Sequence, residues 1–241
     1  MRKFTLFISM ALVAMSIYAA ELTVADGTAT SEKLPVNSYY SDVYVHNQII
    51  YPAQAIKDMK GGTISALEFY VTSPASKSLD AIYEVSLAVV EDDHFTASWS
   101  GEYNYSKAQL TKVYEGTLDA NQATVTFTFS TPFEYADGNL LLDIQTKTAG
   151  STYADAVFAG EEGEDGAATV EIHGHGYSSL PSHATGGSAF LPKTTFTYTE
   201  GTMDVENTEI GKARSVKRVE NGQLVVIKNG VKYNALGSVI D

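Results

Sequence analysis

Apolar and polar positions alternate with a period of two along most of this chain. In Thr124 to Phe129, the side chains of Val125, Phe127 and Phe129 fall on one face and three threonines on the other. That is the signature of a strand with one buried and one wet face. Shorter runs of the same kind occur at Leu67-Phe69-Val71, Val85-Leu87-Val89, Leu140-Leu142-Ile144, Val170-Ile172 and Phe196-Tyr198. Turn-forming clusters separate them: Lys60-Gly61-Gly62, Ser73-Pro74, Asp119-Ala120-Asn121 and Asp137-Gly138-Asn139. Pro52 to Met59 predicts one short helix, with Pro52 in the first turn and Gly61 as a left-handed stop. Short strands without crossover helices predict an all-β fold, an antiparallel β-sandwich of jelly-roll-like kind.

The two ends of the chain read differently from its body. Arg2 and Lys3 precede an apolar run, Phe4 to Ile17, that ends at Tyr18-Ala19-Ala20. A charged start, a short apolar stretch and small residues at its exit predict a secretory signal peptide over residues 1–20, cut after Ala20. The run is too short for a comfortable transmembrane span, and no other segment approaches that length, so the mature chain is expected to have no membrane span. The sandwich is assigned to residues 21–199 and a polar linker without periodicity to 200–213. In residues 214–241, Asn221-Gly222 and Asn229-Gly230 lie between alternating apolar positions. Asn-Gly favours the positive φ angles of tight hairpin turns, so this segment predicts a small β-meander of about three or four strands.

Charge sharpens the division. The whole chain carries 16 basic and 29 acidic residues, a net −13. Residues 21–209 hold 8 basic and 27 acidic residues (net −19), and residues 210–241 hold 6 and 2 (net +4). A body so acidic is unsuited to nucleic acid, whose phosphates need a basic surface, and equally to anionic lipid. There is no cysteine, so disulfides, thiolate nucleophiles and Cys-zinc sites are excluded, and an exported chain must rest on its core.

The tail resembles the last part of the C-terminal sorting domains carried by cargo of the Bacteroidetes type IX secretion system, matching at Gly222, Ile227, Gly230, Tyr233 and Gly237. It is shorter than a full sorting domain and reads Asp241 where such termini carry a basic residue. The body is similar to secreted, adhesin-like β-sandwich proteins of that phylum at Tyr39 to Tyr44, Gln48 to Ala53, Gly61 to Ile64 and Gly138 to Leu141. The resemblance implies passage across the outer membrane by export machinery that reads the tail, then tail removal and display at the cell surface or release. If the tail is not a working tag, the periplasm is the expected location.

Four groups of residues bear on chemistry. The segment His94 to Tyr105 holds Trp99, the sole tryptophan, with Tyr103 and Tyr105 among Ser, Gly and Asn. Indole and phenol rings offer flat apolar faces with polar tips, and Asn104 and Glu102 can supply hydrogen bonds, so Trp99, Tyr103, Tyr105 and Asn104 are the candidate ligand-binding residues. The other reading of Trp99 is a ring folded back to plug one end of the sandwich. Two acidic runs, Glu91-Asp92-Asp93 and Glu161, Glu162, Glu164 and Asp165, are the candidate calcium sites, and the second has glycines that allow a tight oxygen-rich loop; the bland reading of both is solvated surface charge. His173, His175 and His183 are the candidate imidazole ligands, or scattered loop histidines. With 27 acids in the body a chance carboxylate pair is near certain, so acid count is no argument for glycoside hydrolysis. No Gly-x-Ser-x-Gly elbow, His-Glu-x-x-His helix or phosphate-cradling loop occurs.

The expected function is a non-catalytic exported binding or adhesion module whose partner is a glycan or a surface protein. The alternatives are a hydrolase acting on glycans or peptides, and a purely structural envelope component.

Overall fold

A computed structural model describes residues 19–36, 43–74, 80–118, 122–150 and 156–201, together with 216–220, 223–228, 231–234 and 239–240. The expected signal segment up to Tyr18, Tyr39 to Asp42, the turn Asp119 to Asn121, the linker beyond Gly201 and both Asn-Gly pairs lie outside the described residues. The chain divides into two compact units, Met1–Gly201 and Thr202–Asp241.

Among the described residues the first unit holds thirteen strands: β1 (Ala19–Val24), β2 (Ala29–Ser31), β3 (Tyr44–Tyr51), β4 (Gly62–Ser73), β5 (Tyr83–Val90), β6 (Thr111–Gly116), β7 (Thr124–Tyr135), β8 (Asn139–Thr146), β9 (Val157–Glu162), β10 (Glu171–Gly176), β11 (Gly186–Ser188), β12 (Phe190–Pro192) and β13 (Thr194–Thr199). One seven-stranded sheet runs β1-β13-β4-β9-β12, with β2 also on β9 and β7 also on β4. The second, six-stranded sheet runs β11-β10-β3-β8-β5-β6. The pairings are antiparallel. The molecule is therefore an all-β sandwich. Its first strand starts at Ala19, so Ala19 and Ala20 pair with Thr199 and Tyr198.

Alternation explains how the sheets meet. Val45, Ile49 and Tyr51 of β3, Leu140, Leu142 and Ile144 of β8, and Val85 and Leu87 of β5 share one cluster with Leu67 and Phe69 of β4, Phe127 of β7 and Phe196 of β13. The Tyr51 ring from one sheet meets Phe196 of the other edge-on at 5.1 Å between centroids. Its hydroxyl, 2.7 Å from Thr194 Oγ1, stays bonded although buried, as an interior phenol requires. Val89, third in the Val85-Leu87-Val89 series, is instead exposed.

The short helix expected over Pro52 to Met59 is reduced to a single 3₁₀ turn. The turns of the segment close three residues back, Ala55 on Pro52, Ile56 on Ala53 and Met59 on Ile56, and only Lys57–Met59 makes a 3₁₀ turn. A three-residue repeat brings Ile56 and Met59 to the same side, and both are fully buried. Gly61 follows with φ +74.

The second unit is a four-stranded antiparallel meander of β14 (Val216–Glu220), β15 (Gln223–Lys228), β16 (Val231–Tyr233) and β17 (Val239–Ile240). Its register pairs Glu220 with Gln223 and Lys228 with Val231. Two residues lie between the partners in each case.

Candidate functional site: a loop laid across one sheet

One feature of the six-stranded sheet decides where a site forms. Strand β8 reads Leu140-Leu141-Leu142, and consecutive residues of a strand point to opposite faces. All three leucines are buried, so the face turned away from the sandwich interior must be covered as well. Residues 91–110, between β5 and β6, provide the cover. They leave β5, reach the far side of the sheet where Phe95 pairs with Thr169 and Tyr103 with Ala184, and return to β6. Beneath them Ile50, Ala88, Phe95, Leu141, Ile172 and Ala184 form a second apolar cluster, with Tyr103 and Tyr105 packed against it.

Polar latches hold the returning leg. Tyr105 stacks on the His46 ring at 3.7 Å between centroids, and its hydroxyl donates to the His46 carbonyl at 2.8 Å. Burial, and then the negative charge of Asp143, push the Tyr105 phenol well above its ordinary pKa, so it remains a donor. The Ser106 amide donates to Gln48 Oε1 at 2.7 Å, and Gln48 Nε2 donates to Asp143 Oδ2 at 2.6 Å. His46 Nε2 lies 2.8 Å from that same oxygen. Gln48 and Asp143 face each other directly in the β3–β8 register. The Asp143 side chain is 2% exposed, and its buried Oδ2 is partnered by Gln48 and His46, as a buried polar group requires. Gly174 of β10 lies against the Tyr105 hydroxyl, and a Cβ there would collide with it. The close approach of loop to sheet requires glycine.

The outermost part of the loop is a hairpin. Ala97 pairs with Tyr103, the Ser98 amide donates to the Glu102 carbonyl at 2.7 Å, and the Gly101 amide donates to the Ser98 carbonyl at 2.9 Å. Gly101 has φ +83. A tight turn followed by a left-handed glycine is the usual three-residue hairpin connection, here Trp99-Ser100-Gly101. Ser98 Oγ lies 2.8 Å from Ser100 Oγ, and Glu102 Oε1 lies 3.0 Å from His183 Nε2 on the neighbouring loop. At the tip the indole of Trp99 is fully exposed, at 101% of its reference area. Trp99 therefore does not fold back to plug the sandwich. Among the described residues Tyr177, on the loop that follows β10, is the next most exposed large apolar side chain, at 71%.

Of the candidate ligand-binding residues, Trp99 is at the tip and Tyr103 in the hairpin stem, half-buried. Tyr105 is a latch, and Asn104 is exposed at the head of the returning leg. Between the two legs lies a cleft of about 340 Å³. Val90 and Phe95 form its apolar side above the buried Ile50 and Leu141, and Asp92, Thr96, Asn104 and Lys107 stand on its rim. Sequence reasoning missed His46, Gln48 and Asp143, since polar residues at alternate positions look like an ordinary wet face.

The other two candidate groups do not converge. Glu161 and Glu162 end β9, Glu164 opens a tight turn closed by the Ala167 amide at 2.8 Å, and all four acids of the run are exposed. His183 pairs with Glu102 on the loop side of the six-stranded sheet. His173 Nδ1 lies 3.0 Å from Glu171 Oε2, on strand β10. The Ser188 hydroxyl donates to Glu171 Oε1 at 2.7 Å. The carboxylate thus stands between the imidazole and the hydroxyl, so His173 is not placed as a base for Ser188. Among the described residues no group of three or more His, Asp or Glu side chains is placed to hold a metal ion, and no helix is long and apolar enough to cross a membrane.

The fold and the loop define an all-β sandwich that presents one tryptophan on a latched hairpin. Comparison of the chain with protein families, with curated proteins and with solved structures finds no match.

Proposed function

We propose that this protein is an exported, non-catalytic binding or adhesion module of the cell surface, and that the Trp99 hairpin is its contact surface. The observation that carries the reading is the fully exposed indole of the sole tryptophan, on a turn closed by its own backbone and tied through its stem to the sheet. Leaving an indole in water forgoes the burial that ordinarily stabilises it by about 1.5–3 kcal/mol, and the fold gains nothing structural from its position. Contact with a partner supplies the missing burial. Trp has only two side-chain torsions, and a hairpin fixed in advance leaves little to order on binding.

Export is supported by the signal-peptide-like start and by the tail's resemblance to sorting domains. Export machinery is the partner proposed for that tail. The test is retention of the purified protein on an array of glycans and extracellular-matrix proteins, with and without calcium. A saturable hit lost in Trp99→Ala supports the reading. Equal binding by the variant removes the hairpin as the site. Turnover of a glycan or peptide mixture would replace the reading with that of a hydrolase.

A further inference from the structure

We infer that the cleft between the two legs of the hairpin holds one ring of a neutral sugar, with Trp99 taking the adjoining part of the glycan. The inference rests on the hairpin being the contact surface and names what that surface recognises.

A sugar ring presents two kinds of surface, an apolar patch of C–H groups and a rim of hydroxyls that both donate and accept. A complementary site needs a small apolar floor and free polar groups of both kinds around it. The cleft has both. Val90, partly exposed at the end of β5, and the Phe95 ring supply its apolar side, over the buried Ile50 and Leu141. On the rim, the Asp92 carboxylate accepts, the Lys107 ammonium donates, and the Thr96 hydroxyl and Asn104 amide do both. None of these four side chains makes a hydrogen bond or ion pair with another described residue. Their neighbours do: Asp93 Oδ1 lies 2.6 Å from His94 Nδ1, and the Ser106 hydroxyl accepts from the Ala108 amide at 3.3 Å. The loop therefore satisfies its structural polar groups and leaves four others facing the cleft.

Size and charge narrow the ligand. About 340 Å³ lies at the low end of small-molecule sites, roughly 300–1,000 Å³, which suits one ring and not a lipid chain or a folded partner. Lys107 is matched by Asp92 on the same rim, and residues 21–209 carry a net −19. Such a field repels sulfated, phosphorylated or uronic-acid glycans, so the ring is neutral. The Ala97–Tyr103 bridge joins the two legs immediately before the tip, which sets the ring's neighbour toward Trp99.

The test uses the full protein on an array of neutral glycans, anionic glycans and matrix proteins, alongside Trp99→Ala, Asn104→Ala and Lys107→Ala. The two rim residues are exposed, so unchanged thermal melts are expected and confirm that the variants fold. Trp99 is the sole tryptophan, so its emission reports directly on the hairpin. The expected result is retention of neutral glycans and a shift of Trp99 emission on addition of the retained glycan. Each rim variant should weaken binding roughly fivefold to tenfold, and Trp99→Ala should weaken it further. Glycan binding that Trp99→Ala abolishes and the rim variants leave untouched would overturn the cleft while keeping the hairpin. Retention of matrix proteins alone, or of anionic glycans in preference to neutral ones, would also overturn the sugar assignment. Binding unchanged in all three variants would overturn both this inference and the contact surface it rests on.

Discussion

Leu141 and Leu142 are chain neighbours, both fully buried, on opposite faces of the six-stranded sheet. Leu142 belongs to the cluster between the two sheets, where aromatic and aliphatic side chains interlock across the sandwich. Leu141 lies under a loop, in a small apolar cluster bordered by Asp143, Gln48 and an open cleft. The inner face is buried by regular structure. The outer face is buried by an irregular segment that needs carboxylate, amide, imidazole and phenol to hold it. Burial of equal depth thus reflects two purposes, cohesion inside and the positioning of a surface loop outside.

Substitution of the two leucines tests that difference and carries the largest expected effect. Leu142→Ala leaves a cavity between rigid sheets and is expected to cost about 2–5 kcal/mol, read as a lowered melting temperature. Trp99 emission of the remaining folded protein stays as in the parent. Leu141→Ala opens its cavity under a loop that can settle into it, so its cost falls toward the lower end of the same range, and it changes Trp99 emission and ligand binding. Equal melting temperatures with equal loop behaviour would break the distinction. A smaller effect is expected of Asp143→Ala, which removes one acceptor of Gln48 Nε2 and loosens the His46 contact. The loss is about 1–3 kcal/mol, and amide exchange should rise through residues 103–106 before the strands of the inner core respond.

These two faces also differ in how far they could be read from the chain. The inner face was legible because alternation of Val125, Phe127 and Phe129, or of Leu140, Leu142 and Ile144, names the buried side without reference to any partner. The meander was legible through the spacing of its Asn-Gly pairs. The outer face was less so. Leu140-Leu141-Leu142 does carry the needed signal, since three apolar residues in succession require cover on both sides, and Ile50 repeats it among His46 and Gln48. What covers that face is a segment without period, and no local rule couples Tyr105 to His46 or Ser106 to Gln48 across about sixty positions. Trp99 was a candidate from its loop companions alone. That it points outward depends on a turn whose backbone closure becomes evident only once Ser98 and Glu102 are seen paired. The short helix expected at Pro52 is present only as a 3₁₀ turn over Lys57–Met59, because its backbone bonds close three residues back and not four.

The smallest expected effect on stability is also the most telling for function. Trp99 touches little and is fully exposed, so Trp99→Ala should change unfolding free energy by less than about 0.5 kcal/mol, as for surface substitutions generally. The turn it occupies closes through the backbone of Ser98, Gly101 and Glu102, and none of those bonds involves the indole. The same substitution should remove most binding, because the ring is the largest apolar area the hairpin presents. A large change in melting temperature would show that the indole packs against the fold in solution, and the outer face would then differ from the inner one only in composition. A silent melt with lost binding separates the two faces completely: one in which each large side chain holds the sandwich together, and one that carries a large side chain for a partner alone.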